Sequence, residues 1–386
     1  MTGSEPGAAQ APDAGTLGAH VTRQLLRLSE IAGLPDVDSH IYARTLVEAL
    51  GPVSGRPLDL PPPSDSFLSD DHTPVEYSLS FEPGRAPTLR VLLEPGAGAG
   101  GLARSGRTGL RVLRELAGRW GVTTTPLDEL EDLFFPPSPE GPLALWCALE
   151  LRPGGVPRVK AYLNPAANGP AHAAKTVRKA LKRLGHRRAF KALPDGDRHL
   201  FFALDLGDWD EPRVKVYLAH HDLPAAQVGG LSRMDDGPEP AEIEEFLRAA
   251  TGPETGADGL AGDGGPQPRI VRRPLQTCHA FTDTAAGRPG GFTLYVPVRD
   301  HAPHDGEALA RATALLRRYG MDPAPLQPAL AAVTSRRPED GVGLVAYLGL
   351  AHQHGRPPRI MTYISSEAYE VRPPAAPVPA EATAGR

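Results

Sequence analysis

The chain has 386 residues, with 41 Lys and Arg against 46 Asp and Glu, a net charge of −5 and 40% apolar residues. That composition supports a large core, and the acidic balance gives no overall basic field of the kind that draws a protein to nucleic acid. Two cysteines, Cys147 and Cys278, both in apolar strand-like runs, argue for reduced thiols rather than a disulfide framework.

The first residues, MTGSEPGAAQAPDAGTLG, carry no basic stretch followed by an apolar one, so no signal peptide is read there. No apolar run reaches the ~20 residues of a membrane helix, and a cytoplasmic protein is expected. Residues 1–16 and 373–386, rich in Ala, Pro, Gly and Glu, read as disordered tails around a single domain over 17–372. Helical candidates at 18–33 and 40–50 open that domain. A first strand pair follows, Val75–Phe81 with Thr88–Glu94, joined by Glu82-Pro83-Gly84. Glu76 lies among apolar strand residues, so it faces water or meets a donor or cation. Turned inward it would accept a hydrogen bond from an N–H or O–H of a bound aromatic; turned outward it is an ordinary edge glutamate.

A helix at 104–119, with amphipathic spacing over Thr108–Arg119, precedes the second pair, Leu143–Leu151 with Arg158–Leu163. Trp146 matches Glu76 in position and either stacks on a ligand or fills the core. A helix at 171–184 leads to His199–Leu206 with Arg213–Ala219. The acidic run Glu239–Glu245 reads as the solvated start of a helix over 240–250, and 252–268 as a flexible insertion. Leu275–Thr282 with Gly291–Val298, a helix at 306–318, and Val342–His352 with Arg359–Ser365 complete the chain.

Helix then hairpin thus recurs five times, which implies one architecture rather than five domains. The expected fold is α+β, a ten-stranded antiparallel barrel with its helices outside. The second strands carry the chemistry. Pro157-Arg158-Val159-Lys160-Ala161-Tyr162 is nearly repeated as Pro212-Arg213-Val214-Lys215-Val216-Tyr217, and Pro358-Arg359-Ile360-Met361-Thr362-Tyr363 keeps the frame with Met for Lys. Strand alternation puts Arg, Lys and Tyr on one face. Aligned by repeat, that face collects Arg90, Arg158, Lys160, Arg213, Lys215 and Arg359, with Tyr162, Tyr217, Tyr295 and Tyr363 at matching depth. One such strand alone reads as a solvent-facing sheet; three framed copies read as a lumen built around an anion, with Arg forks and Lys point charges suited to a diphosphate.

Other signals are weaker. His352 and His354 alternate on a strand without Cys or acidic partners, and His220-His221 is an adjacent pair, so no metal site is read. No GxxxxGK[ST], GxGxxG after a strand, GxSxG or HExxH occurs, nor an aspartate cluster to hold Mg²⁺ on a diphosphate.

Taken together, Thr73-Pro74-Val75-Glu76-Tyr77-Ser78, Arg158-Val159-Lys160-Ala161-Tyr162-Leu163-Asn164-Pro165 and Arg213-Val214-Lys215-Val216-Tyr217 resemble the dimethylallyltryptophan synthase family of aromatic prenyltransferases, over about residues 18–370. The resemblance implies a prenyltransferase barrel that moves a dimethylallyl group from dimethylallyl diphosphate to the indole of L-tryptophan, in secondary (alkaloid) metabolism, with no cofactor and no Mg²⁺. It implies Glu76 as the acid that holds the indole N–H, Arg90, Lys160, Arg213 and Lys215 on the diphosphate, and Tyr162, Tyr217, Tyr295 and Tyr363 as the shield of the prenyl chain; Arg359 is added to the diphosphate set from its place in the repeat. Trp146, His279 and Tyr347 are candidates for the acceptor pocket. Glu150, His279 and Tyr347 join Glu76 as candidates for the base that takes the ring proton, their facing set by a one-residue strand parity.

The chain departs from the family at Thr293, where Gln is frequent, and at Arg359, where Tyr is common. Relatives that attack carbon 4 carry a Lys near Trp146–Glu150, and none occurs here. The Ala, Gly, Pro and Arg bias suggests a high-GC bacterial source, whose relatives often alkylate carbon 6. Partners are expected to be small molecules, with no nucleic acid or membrane, and the protein a monomer or weak homodimer. Tyrosine, a cyclic dipeptide or another phenol or indole remains open as acceptor, and so does a non-catalytic protein that binds a phosphorylated ligand.

Overall fold

Along Thr88–Leu93 and Arg158–Leu163 every second residue, among them Leu89, Val91, Val159 and Ala161, is buried, and the residues between them are partly or fully exposed. Such strands need cover on the apolar face and open space on the other. A computed structural model, which describes residues 15–221, 223–252 and 273–374, meets both needs with a closed barrel. Its strands are β1 (Val75–Phe81), β2 (Thr88–Leu93), β3 (Leu145–Glu150), β4 (Arg158–Leu163), β5 (Arg198–Leu206), β6 (Arg213–His220), β7 (Leu275–Phe281), β8 (Gly291–Val296), β9 (Val345–Gln353) and β10 (Arg359–Ser365). Each pairs antiparallel with its chain neighbours, and β10 returns to β1 with Glu76 opposite Ser365 and Ser78 opposite Tyr363.

Around the barrel lie α1 (Leu17–Ile31), α2 (Asp36–Leu50), α3 (Leu102–Arg119), the short α4 (Thr125–Asp128) and α5 (Glu131–Phe134), α6 (Ala173–Arg183), the short α7 (Ala189–Ala192) and α8 (Ala225–Val228), α9 (Pro240–Thr251), α10 (Asp305–Arg318) and α11 (Leu326–Val333). Outward strand residues such as Tyr77, Leu79, Leu149, Phe202 and Leu348 form the main core with the helices. A second apolar cluster lies inside the barrel, built on Trp146, Phe201, Tyr217, Tyr295 and Met361. The five helix-plus-hairpin units and the inverted barrel expected from the repeats are therefore both present.

Three differences stand out. Gly15 and Thr16, expected in a tail over 1–16, are held in place: Thr16 caps α1 by accepting from the Ala19 N–H at 3.3 Å, and Leu58 N–H donates to the Gly15 carbonyl at 2.9 Å. α11 was not foreseen, because Pro328 falls inside it, yet this is its first turn, where a missing N–H costs nothing. The four one-turn helices are too short for a periodic signal. The expected insertion over 252–268 and the expected tails over 1–16 and 373–386 lie largely outside the described residues. No described helix is long and apolar enough to cross a membrane.

Candidate active site

The cations of β2, β4, β6 and β10 stand near the hairpin-turn ends of their strands, and the tyrosines lie further along. Strand order thus divides the lumen into a cationic end and an aromatic end.

The cationic end is a cavity of about 130 Å³ lined by Arg90, Arg158, Lys160, Arg213, Lys215, Arg356 and Arg359 with the carboxylates Glu150 and Asp205. All five cations expected to meet an anion are there. Arg90 donates from Nε and Nη2 to Glu150 at 3.2 and 2.9 Å, and Arg158 reaches the same carboxylate at 3.1 Å. Burial would raise the Glu150 carboxyl, but Arg90, Arg158 and Lys160 outweigh it and hold it down to about 2. Asp205 sits between Lys160 at 3.3 Å and Lys215 at 3.6 Å. Burial, aided by the charge of Lys160 and opposed by Asp205, pushes the Lys215 ammonium down to about 8. Burial and the neighbouring Arg90 likewise lower Arg359. With positive charge in excess, this chamber is suited to a polyanion.

Next along the lumen, Tyr162, Tyr217, Tyr295, Tyr363 and Tyr347 form an arc with successive ring centroids 5.6, 6.0, 5.7 and 6.4 Å apart. Tyr217 O–H points to Tyr162 Oη at 3.5 Å. Burial raises the pKa of each of these phenols, so they stay neutral and present π faces. Met361 packs beneath them, its sulfur 3.9 Å from Tyr363 Oη and from Arg90 Nη1.

The aromatic end is a cavity of about 470 Å³, within the ligand-pocket range of roughly 300–1,000 Å³. Trp146 and Phe201 pack against each other at 5.1 Å on one wall, and Phe67 stacks over Trp146 at 6.4 Å. Phe67 comes from a loop held in shape by Asp71, which accepts from Ser69 and Thr73, and by Ser66 donating to Glu94 at 2.6 Å. Glu76 faces this cavity and is 5% exposed. Burial, opposed by the charge of Arg299 and assisted by Asp70, pushes its carboxyl up to about 8. Arg299 lies over the Tyr347 ring at 4.8 Å and 3.1 Å from Asp70, which Arg273 and Arg372 also reach at 2.7 Å. Gln276 donates to Tyr347 Oη at 3.1 Å.

Trp146 and Tyr347 therefore line the acceptor-sized cavity, but His279 does not. On β7 the lumen takes Gln276, Cys278 and Ala280, so parity turns His279 outward, where it meets Thr277 Oγ1 at 3.1 Å and packs against Phe292. Burial holds its imidazole down to about 3. Glu150 also leaves the set of bases near an acceptor, because it belongs to the cationic end.

Sequence reading passed over Asp205, Arg299 and Asp70. Asp205 was findable: it is a lone charge in the apolar run Phe201–Leu206, the same signal that drew attention to Glu76. Arg299, in the short 3₁₀ helix Val298–Asp300, and Asp70, in a turn, lie outside the repeat, where no periodicity points at them. Among the described residues no group of three or more His, Cys, Asp or Glu could hold a metal ion.

A family model described as tryptophan dimethylallyltransferase matches residues 39–325. The ternary complex of the prenyltransferase PriB with L-tryptophan and dimethylallyl thiolodiphosphate is 60% identical over 94% of this chain and 100% of that one, with a TM-score of 0.87. The 5-dimethylallyltryptophan synthase of Streptomyces coelicolor is 59% identical over 93% of this chain and 100% of its own, also at 0.87. The 6-dimethylallyltryptophan synthase of Micromonospora olivasterospora, solved with DMASPP and Trp, is 39% identical over 93% and 99%, at 0.82.

Proposed function

The chain belongs to the tryptophan dimethylallyltransferase family, and we propose that it transfers the dimethylallyl group of dimethylallyl diphosphate to carbon 6 of L-tryptophan. It is an aromatic prenyltransferase, and the observation that carries the substrate reading is the juxtaposition, in one lumen, of a cationic chamber, a tyrosine arc and a cavity facing Glu76.

The diphosphate would lie among Arg90, Lys160, Arg213, Lys215 and Arg359. As the allylic C–O bond breaks, its electron pair stays on the bridging oxygen, and these donors stabilise that growing charge. They supply the positive charge that a metal ion brings elsewhere, so transfer is expected to proceed without one. The allyl cation would face Tyr162, Tyr217, Tyr295 and Tyr363, each ring contributing roughly 0.5–2 kcal/mol when desolvated, and the same rings keep out water that would quench it. The indole π electrons form the new C–C bond, and loss of the ring proton restores aromaticity. Glu76, ionised, would accept the indole N–H and raise the electron density of the ring. Arg299 and Asp70 offer opposite charges to the carboxylate and ammonium of the amino acid.

Carbon 5 is the competing position, favoured by 59% identity to a 5-dimethylallyltryptophan synthase. Incubation of L-tryptophan and dimethylallyl diphosphate in EDTA, with the product position read by NMR, tests both parts. A 6-dimethylallyl product is expected. A 5-dimethylallyl product corrects the position only, and no product with tryptophan overturns the acceptor.

A further inference from the structure

Asp205 lies directly opposite Lys160 on β4 and Arg213 on β6, and its two oxygens meet Lys160 and Lys215. Its backbone carbonyl accepts the Trp209 indole N–H at 3.0 Å, and the Trp209 ring carries the Arg213 guanidinium 3.8 Å from its centroid. One residue and the turn after it therefore hold three of the cations assigned to the diphosphate. Simple charge counting says that a carboxylate in an anion site weakens binding. The geometry says otherwise.

We propose that Asp205 is a positioning residue of the diphosphate site: it holds Lys160 and Lys215 side by side as ammonium ions, and its loss weakens diphosphate binding, increasingly so as pH rises. The proposal rests on the reading of this chamber as the diphosphate site. Asp205 is faced by Lys160 of β4, Arg213 and Lys215 of β6, Arg90 of β2 and Cys278 of β7, with Glu150 of β3 beyond them. Apart from Asp205 and Glu150, the charged members of this set are cations. Burial raises the Cys278 thiol, which stays neutral. Lys215 already stands near 8, with Asp205 among the groups holding it up and Lys160 among those pushing it down. Without Asp205 the repulsion is unopposed and the amine sheds its proton nearer neutrality, as buried lysines do readily.

The test is calorimetric binding of inorganic pyrophosphate to the full chain and to Asp205→Asn and Asp205→Glu between pH 6.5 and 9, with KM for each substrate alongside. Wild-type affinity should fall above about pH 8. In Asp205→Asn affinity should be about tenfold lower at pH 7.5 and the fall displaced downward by about one pH unit; Asp205→Glu should restore most of both. KM for dimethylallyl diphosphate should rise in step and KM for tryptophan stay put. Equal or tighter pyrophosphate binding by Asp205→Asn, with the wild-type pH profile, overturns the proposal. Should that variant not fold, Lys215→Arg decides: a guanidinium keeps its charge, so the alkaline fall should vanish, and its persistence counts against the proposal. No pyrophosphate binding by the wild type would instead overturn the diphosphate reading itself.

Discussion

Glu76 carries the clearest pH signature in the molecule. Its carboxyl is pushed up to about 8, so below that pH it is protonated, and a protonated carboxyl is a poorer acceptor for an indole N–H than the carboxylate. In the free enzyme, kcat/KM for tryptophan should therefore rise with pH through about 8. Glu76→Gln should remove that limb and lower kcat by about 100-fold, the low end for a proton-handling group, while KM for dimethylallyl diphosphate holds. Turnover near wild type would sink the role given to this residue. Arg299→Gln should raise KM for L-tryptophan by about tenfold, as loss of a charge-assisted contact implies, yet leave turnover of 3-methylindole, which lacks the amino-acid group, little changed once both are compared at a pH high enough to ionise Glu76, whose carboxyl Arg299 helps hold down. Equal losses on both acceptors would reassign Arg299 to packing. At this level the sequence was readable wherever strand parity repeats, which is how the strand cations and four tyrosines could be grouped without coordinates. It failed at His279, where a one-residue shift in parity reverses the face, and at Arg299 and Asp70, which a short 3₁₀ helix and a turn bring into the lumen.

The elements follow from patterning more simply than their contacts do. Alternation and Pro- or Gly-containing turns mark all ten strands because each strand has one face under helices and one toward the lumen. α11 shows the limit, since Pro323, Pro325 and Pro328 read as breakers although the last fits a first helical turn. Close approach is likewise invisible beforehand. A Cβ on Gly96, in the link from β2 to α3, would stand 2.1 Å from the Ser105 carbonyl oxygen, and backbone cannot swing aside as a side-chain tip can. Gly96→Ala should displace the start of α3 and cost about 1–3 kcal/mol, the usual range for overpacking. A lowered urea midpoint with unchanged slope would show it, and an unchanged midpoint would mean that the link adapts freely.

Closure of ten strands removes every sheet edge and lets the whole barrel serve as the site. Its apolar side faces outward into helices, leaving the inside for function, and that inversion was legible because cations and tyrosines recurred on the face opposite the valines and leucines. The division into two chambers was not, since it depends on how far along each strand a side chain stands and on which carboxylates stand among the cations. A crystal structure with L-tryptophan and dimethylallyl thiolodiphosphate bound together measures that division most directly. The account predicts the diphosphate among Arg90, Lys160, Arg213, Lys215 and Arg359, the allyl group against the tyrosine arc, and the indole N–H within hydrogen-bonding reach of Glu76, about 3 Å. Tryptophan bound with its indole away from Glu76, or the diphosphate outside the cationic chamber, would contradict it.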